Sequence, residues 1–128
     1  MRYLADTNIY LEIILGQENK NTCKRFLIDH IEQVLISDFS LHSIGVILFK
    51  LKRFDVFEKF YDEIHEQSNV ISLSDQKYPL VASIAQQFGL DFDDSYQCAV
   101  AKEFDLVIVT QDNDFKKVSS SFNINIMV

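Results

Sequence analysis

The sequence predicts an α/β fold, a three-layer α/β/α sandwich with a central parallel sheet. Short apolar runs alternate along the chain with longer segments that have helical spacing, and one or two such segments separate each run from the next. Parallel strands need crossover connections of this kind, which place helices on the faces of the sheet. Because 128 residues suit one core, we expect a single domain over residues 1–128.

Five apolar runs are predicted to be strands, because they are short and mostly lack a polar alternation. This pattern is typical of strands that are buried on both faces. The clearest is Leu-Val-Ile-Val at residues 106–109. The predicted strands are residues 2–5, 34–36, 70–73, 106–109 and 124–127.

Six segments are predicted to be helices from the spacing of their apolar residues and from their end signals. The first follows Asp6-Thr7-Asn8, which offers capping side chains, and ends at Gly16. Pro79 falls in the first turn of the fifth helix, where a missing N–H does little harm, and Gly89 suits the position after its end. The predicted helices are residues 9–15, 22–29, 39–51, 55–67, 74–88 and 91–104.

The charge and cysteine content exclude several classes of protein. The chain has 12 basic and 19 acidic residues, so its overall charge of −7 does not attract nucleic acid, and any such role needs a local patch or a metal. Cys23 and Cys98 fall in predicted helices, which favours buried reduced thiols over a disulfide. The longest uncharged run, residues 39–49, is too short to span a bilayer. We therefore expect a cytoplasmic protein with no membrane contact.

Acidic residues gather where the predicted strands end. Asp6 follows the first strand, Asp112 and Asp114 follow the fourth, and Asp94 stands at the start of the sixth helix. Ligands of doubly wound sheets bind beyond the carboxyl ends of the strands, so Asp6, Asp94 and Asp112 meet if the first and fourth strands are neighbours. Several ionised carboxylates this close repel one another. Mg²⁺ or Mn²⁺ would neutralise them and could activate water at a phosphodiester.

Other roles are open for some of the acids, since aspartate is common at helix starts. We interpret Asp38, Asp75 and Asp91 as capping residues. For Asp114, a turn-capping role and a supporting role at a metal are equally open. The metal hypothesis rests on the joint placement of the other three acids and not on any one of them.

Two segments together resemble the PIN domain, a small metal-dependent nuclease fold that includes the VapC-type toxins. The first segment is Tyr3-Leu4-Ala5-Asp6-Thr7-Asn8, similar to the family's hydrophobic strand followed by Asp-Thr-Asn. The second begins at Asp94, continues through a helix with Ala99 and Ala101, and ends with residues 106–115. This second segment is the more specific, and the resemblance covers nearly the whole chain.

The resemblance implies a parallel sheet flanked by helices and the cleavage of RNA with Mg²⁺ or Mn²⁺. It implies an acidic metal site formed by Asp6, Asp94 and Asp112, with Asp114 as an additional candidate ligand. Toxin members of the family commonly dimerise and are silenced by an antitoxin. The implied partners are therefore an RNA substrate, an antitoxin protein and a second copy of the chain. The implied supporting residues are Thr7, Asn8 and Thr110.

One position departs from the family pattern. PIN domains usually have a glutamate on the helix after the second strand, and Ser43, which we count as a fourth supporting residue, occupies that position here. Serine is neutral and shorter, so the site lacks one carboxylate. Two hypotheses follow: a metal-dependent ribonuclease that acts as a toxin, and a catalytically weakened or inactive PIN-like module that binds RNA or a protein.

Two further interpretations stay open. A phospho-acceptor domain of the receiver type fits the length and acidity, but no second acid pairs with Asp6 at the end of the first strand. No lysine follows the fourth strand either, where Gln111 and Asp112 stand. The basic residues within Lys50–Arg53 could bind phosphate, although basic residues also stabilise the C-terminus of a helix.

Overall fold

The computed structural model describes residues 1–67 and 70–127 of the chain. No helix in this part of the chain is long and apolar enough to cross a membrane. Two short 3₁₀ segments, Asp75–Lys77 and Asn113–Val118, accompany the longer elements. These are β1 (Tyr3–Ala5), α1 (Thr7–Ile14), α2 (Lys20–Asp29), β2 (Val34–Ser37), α3 (Asp38–Lys50), α4 (Phe54–Gln67), β3 (Val70–Ile71), α5 (Tyr78–Phe88), α6 (Phe92–Phe104), β4 (Val107–Thr110) and β5 (Ile124–Ile126).

The five strands form one parallel sheet in the order β3-β2-β1-β4-β5. β1 pairs with β2 on one side and with β4 on the other, so that Leu4 lies opposite both Leu35 and Ile108. The strand order therefore reverses between β1 and β4. In sheets of this kind, the ligand crevice opens beyond the carboxyl ends of the two strands at the reversal.

Helices cover both faces of the sheet, which confirms the predicted α/β/α sandwich. Leu4 and Ile108 pack in one core with side chains of α5 and α6. The next residue of each strand, Ala5 and Val109, packs in a second core with side chains of α1 to α4. Successive side chains of a strand point to opposite faces, so these short strands contribute to both cores. All four side chains are fully buried.

The third strand is shorter than the sequence predicts. Of residues 70–73, only Val70 and Ile71 pair with β2. The backbone N–H of Leu73 donates to the hydroxyl of Tyr96 at 3.1 Å, where a strand neighbour would otherwise accept it. The chain therefore leaves the sheet after Ile71 and contacts α6. The fifth helix begins at Tyr78, four residues later than predicted, because residues 75–77 form a 3₁₀ turn; the other element boundaries differ from the predicted ones by at most two residues.

The structure overturns two of the three capping predictions. Ser37 caps α3 in place of Asp38, because Ser37 is the last extended residue and its Oγ accepts the N–H of Ser40 at 3.1 Å. Asp75 begins a 3₁₀ turn whose cap forms no side-chain hydrogen bond. Asp91 caps α6 as predicted and accepts the N–H of the third helical residue at 2.9 Å.

Both cysteines are buried and free, as predicted from the sequence. Cys23 belongs to α2 and Cys98 to α6. Burial, together with the charges of Asp94 and Asp6, raises the pKa of the Cys98 thiol to about 12. Only the thiolate is a good nucleophile, so Cys98 is unreactive at neutral pH.

Candidate metal centre

The candidate centre lies where the strand order reverses, beyond the carboxyl ends of β1 and β4. Asp6 directly follows β1 and caps α1. Asp112 comes two residues after the end of β4 and caps the 3₁₀ segment that follows. Asp94 is the third residue of α6, which Asp91 caps. The parallel register of β1 and β4 therefore brings three chain segments to one edge of the sheet, as the sequence predicts.

The Asp6 carboxylate is held by four hydrogen-bond donors and is only 7% exposed. Its Oδ1 accepts from the backbone N–H of Thr7 at 2.9 Å and from Nε2 of Gln97 at 3.0 Å. Its Oδ2 accepts from Oγ1 of Thr110 at 2.8 Å and, more weakly, from Nδ2 of Asn8 at 3.4 Å. Donors to both oxygens fix the orientation of this carboxylate and replace the water lost on burial.

Three other carboxylates form an open group in front of Asp6. Ligand oxygens of Asp94, Asp112 and Asp114 all lie within 4.8 Å of one another. The backbone orients one of them, since Oδ1 of Asp112 accepts the N–H of Asp114 at 2.8 Å, and the N–H of Asp112 in turn donates to Oγ1 of Thr110 at 3.0 Å. Asp94 and Asp112 are half-buried and Asp114 is exposed. The group is accessible from solvent on one side.

The negative charges of the centre are not balanced by basic residues. Side-chain hydrogen bonds from Arg2 and Lys117 go to backbone carbonyls, and no lysine or arginine in the described residues donates to these carboxylates. The pKa of the Asp94 carboxyl is raised from 3.8 to about 7 in total, and burial is the largest cause. The charges of four neighbours contribute to this rise: Asp91, Asp6, Asp112 and Asp114.

The pKa of Asp6 is raised as well, chiefly by burial and to a smaller extent by the charge of Asp112. The hydrogen bonds from Gln97, Thr110 and Thr7 oppose this shift, because they stabilise the ionised carboxylate. Asp6 and the open group therefore share one acidic environment. Asp6 has four hydrogen-bond donors that oppose its raised pKa, whereas in the described residues Asp112 has one donor and the Asp94 carboxylate has none.

The open group fits a hard divalent cation. Carboxylate oxygens are the ligands that Mg²⁺ and Mn²⁺ prefer. A cation would also relieve the repulsion that keeps the pKa of Asp94 high. Asp94, Asp112 and Asp114 would hold it, while Asp6 lies behind them with its oxygens already accepting hydrogen bonds. The geometry thus separates the four acids into three candidate ligands and one buried, hydrogen-bonded carboxylate.

The structure also places the four predicted supporting residues. Oγ1 of Thr7 donates to Oγ of Ser40 at 2.8 Å. Nδ2 of Asn8 donates to Oγ1 of Thr110 at 3.1 Å, so Thr110 connects the ends of β1 and β4. Ser43 is half-buried on α3 and forms no side-chain hydrogen bond within the described residues. The hydroxyl that joins the network belongs to Ser40, one helical turn earlier.

Gln97 is a site residue that the sequence analysis missed. It is 1% exposed, and its Nε2 donates both to Asp6 and to Oγ of Ser40, the latter at 2.9 Å. Its Oε1 is buried without a hydrogen-bond partner in the described residues. The available signal was its spacing, because a residue three positions after Asp94 lies on nearly the same face of α6.

A second buried network, also missed, fixes the backbone beside the centre. Glu12 is 8% exposed and accepts from the backbone N–H of Asn19 at 2.6 Å and from Nε2 of Gln111 at 3.1 Å. The N–H of Gln111 donates to Oδ1 of Asn8 at 3.1 Å. These bonds connect α1 to the segment between Thr110 and Asp112. The sequence alone does not predict this role for Glu12, because a glutamate in an amphipathic helix usually faces solvent.

Several solved structures are similar to this chain over almost their whole length. A toxin–antitoxin complex from Klebsiella pneumoniae has 20% identity and a TM-score of 0.78, with 96% of this chain and 95% of that chain covered. VapBC2 from Rickettsia felis, bound to a promoter DNA fragment, has 18% identity and a TM-score of 0.80, with 98% of each chain covered. VapC20 from Mycobacterium tuberculosis, described as a sarcin-ricin loop cleaving toxin, has 15% identity and a TM-score of 0.78, with 94% and 95% covered.

Identities this low show a shared fold and nothing finer. No curated protein matches the sequence significantly. The family is shown by a separate finding, since the model of the PIN domain matches residues 3–120, which is most of the sequence. The resemblance inferred from the two acidic segments is thereby confirmed, and the chain belongs to the PIN domain family.

Proposed function

We propose that this protein is a Mg²⁺- or Mn²⁺-dependent endoribonuclease, the toxin of a toxin–antitoxin pair. One observation carries the proposal: the carboxylates of Asp94, Asp112 and Asp114 converge within 4.8 Å at the ligand crevice of a PIN domain. The names of its structural neighbours support it, since they include a toxin–antitoxin complex and an RNA-cleaving toxin.

Hydrolysis of a phosphodiester joins a water oxygen to phosphorus and breaks the bond to one ribose oxygen, which takes up a proton. When bound, the cation lowers the pKa of water and supplies positive charge near the phosphate. Asp94, Asp112 and Asp114 would hold it, and Asp6 would keep their supporting strands in place through Thr110. This local charge also explains how a protein of net charge −7 can approach RNA.

The partner proposed for this toxin is an antitoxin protein, because one of the similar structures is described as a toxin–antitoxin complex. A homodimer and a cytoplasmic location belong to the same proposal. The chain would act as one domain over residues 1–128. Size-exclusion chromatography with light scattering tests the dimer directly, and a monomeric mass at micromolar concentration would contradict it.

The test of the function is metal-dependent RNA cleavage by purified protein. We expect a mixed-sequence RNA to be cut with Mn²⁺ and to stay intact with EDTA. Asp94→Asn should abolish cleavage. Asp105→Asn is the matched control, because Asp105 ends the same helix in the left-handed conformation, which asparagine tolerates. Equal cleavage by the Asp94→Asn protein would contradict the proposal and point to a contaminating ribonuclease.

One observation favours the second candidate, a weakened module that binds RNA or protein: Ser43 provides no carboxylate. Ser43 lies three residues after Ser40 on the same face of α3, so a longer acidic side chain there extends toward the network. In a Ser43→Glu variant, we expect several-fold tighter Mn²⁺ binding and faster cleavage. A wild-type protein that is folded but inactive, with activity appearing in Ser43→Glu, would favour the weakened module.

A further inference from the structure

An aromatic cup lies beside the candidate metal centre and has no role in it. Its volume is about 410 Å³. Tyr96 forms the floor and is only 3% exposed. The cup is lined by Asp38, Phe39, His42, Tyr78, Phe92 and Tyr96. Three segments supply them: the start of α3, the start of α5 and the start of α6.

The rings of the cup surround the floor and leave a flat-sided space. Phe92 stacks on Tyr96 with ring centroids 6.3 Å apart and planes at 24°. Tyr78 and Phe39 lie 6.0 and 6.1 Å from the same ring, tilted by 56° and 58°. Phe92 is 59% exposed and Tyr78 is 45% exposed. Large rings left open around a shared cavity mark a surface that is suited to another flat, apolar group.

The polar edge of the cup is a hydrogen-bond acceptor. Oδ1 of Asp38 accepts the N–H of Phe39 at 2.8 Å and the hydroxyl of Tyr96 at 2.7 Å. Its Oδ2 accepts no hydrogen bond from any described residue, and the side chain is exposed. The Tyr96 hydroxyl also accepts the N–H of Leu73, so it is fully used. The free acceptor at the rim is therefore the carboxylate of Asp38, with the exposed His42 as its neighbour on α3.

The cup neighbours the acidic centre along two helices. Phe92 and Asp94 lie on different sides of the first turn of α6, about 3 Å apart along its axis, so this turn separates the cup from the centre. Asp38 follows Ser37, whose hydroxyl bonds to Ser40 in the network around Asp6. A single strand of nucleic acid with one phosphate at the centre would therefore pass the mouth of the cup.

We propose that the cup binds an unpaired nucleobase of the RNA substrate, with guanine preferred, beside the phosphodiester that is cleaved. Single-stranded RNA is recognised by bases that stack on aromatic side chains and bond through their Watson–Crick edges. Guanine presents two adjacent donors there, N1–H and the N2 amino group, and both can point at Oδ2 of Asp38, the oxygen that no described residue uses. Uracil presents a single donor. The inference rests on the proposed nuclease function for the identity of the ligand, and on the cup itself for the site.

Base binding can be measured without cleavage, because the chain contains no tryptophan. A Phe92→Trp variant places the only indole at the cup. The probes are tetranucleotides with uncharged methylphosphonate linkages, which remove backbone attraction and repulsion and leave base recognition alone. We expect guanine-containing probes to quench the fluorescence several-fold more strongly than uracil-only probes. Phe54→Trp is the control, since Phe54 is 52% exposed at the start of α4, away from the cup.

Fluorescence that responds equally to all probes in both variants, or a Phe92→Trp signal that no probe changes, would overturn the base site. The nuclease proposal fails separately, if no RNA is cut. Quenching by guanine probes without cleavage would keep the base site and remove the nuclease. RNA cleavage without any change in the fluorescence of the Phe92→Trp variant would keep the nuclease proposal and overturn the base site.

With an active enzyme, two substitutions separate stacking from edge recognition. Phe92→Ala should raise KM for RNA by about 5- to 150-fold, the range found when a stacked base loses its aromatic partner. Asp38→Asn should reduce the preference for guanine several-fold, because an amide both donates and accepts. An unaltered cleavage pattern and KM in both variants would contradict the proposal.

Discussion

Asp6 and Asp94 belong to one site, but they differ in burial and in the hydrogen bonds that their carboxylates accept. Asp6 lies behind the site, 7% exposed, with donors on both oxygens. Asp94 faces the open group, and its backbone, not its carboxylate, takes part in the hydrogen bonds of the site. Four donors of the protein hold the buried carboxylate in place, although burial still raises its pKa. The open group, Asp94, Asp112 and Asp114, remains accessible to a bound cation.

The difference teaches which acids of a cluster are candidate ligands. A carboxylate that accepts three or four hydrogen bonds is fixed and stabilised as an anion. The Asp94 carboxyl accepts no hydrogen bond from the described residues, and burial together with the charges of its acidic neighbours raises its pKa to about 7. A divalent cation that these carboxylates bind would relieve the repulsion between their charges. The following predictions, in order of decreasing effect, test this division.

The largest effect is expected on RNA cleavage, for substitutions in the open group of carboxylates. Asp112→Asn should reduce RNA cleavage by about 100-fold or more, because a metal in such a site supplies several kcal/mol of transition-state stabilisation. The thermal midpoint of the metal-free variant should be equal to or above that of the wild type, since one repulsive charge is gone. Single-turnover kinetics and calorimetry measure the two quantities. Full cleavage by Asp112→Asn, with Asp105→Asn as control, would place the chemistry elsewhere.

Substitution of the buried carboxylate, Asp6, should lower the free energy of unfolding. Asp6→Ala leaves the donors of Thr110 and Gln97 unpaired in the interior, so we expect a loss of about 2–3 kcal/mol in the free energy of unfolding. Asp114→Ala, at an exposed position, should change it by less than about 0.5 kcal/mol. Urea unfolding of both variants provides the comparison. Equal losses of unfolding free energy in Asp6→Ala and Asp114→Ala would contradict the distinction between the buried carboxylate and the open group.

The sequence predicts much of the fold, because its signals are local. Five apolar runs and the spacing between them were enough for the sandwich, and β3 is short because Leu73 bonds to Tyr96, a contact between distant segments. The site divides in the same way. The positions of Asp6, Asp94 and Asp112 follow from strand ends. The burial of Gln97 and Glu12 does not, because it depends on how α6 and β4 pack against β1 and α1.

A smaller effect is expected for Gln97, which supports Asp6 from α6. Gln97→Leu keeps the volume and removes the donor to Asp6 and to Ser40. We expect a loss of about 1 kcal/mol in stability, because the buried Oε1 that lacks a partner is removed together with the donor. Chemical denaturation measures it. A variant more stable than wild type would show that the amide costs more than it contributes.

The smallest effect is the pH dependence of the metal-free protein. The pKa of Asp94 rises from 3.8 to about 7 on folding, so the folded state holds a proton that the unfolded chain has released. The stability contribution of this group is present below about pH 4 and falls as the pH rises towards 7. In Asp94→Asn, the decline between these values should be smaller. Thermal melts in EDTA test this, and parallel profiles for the two proteins would contradict the assignment of the shift to Asp94.

Direct measurement of Mn²⁺ binding tests the central claim, that the open carboxylates hold a divalent cation. Electron paramagnetic resonance reports free Mn²⁺ during a titration at neutral pH and needs no substrate. The account predicts saturable binding by the wild type and by Asp105→Asn, and a large loss of affinity in Asp94→Asn and Asp112→Asn. Equal Mn²⁺ affinity in all four proteins, or none in the wild type, would contradict it.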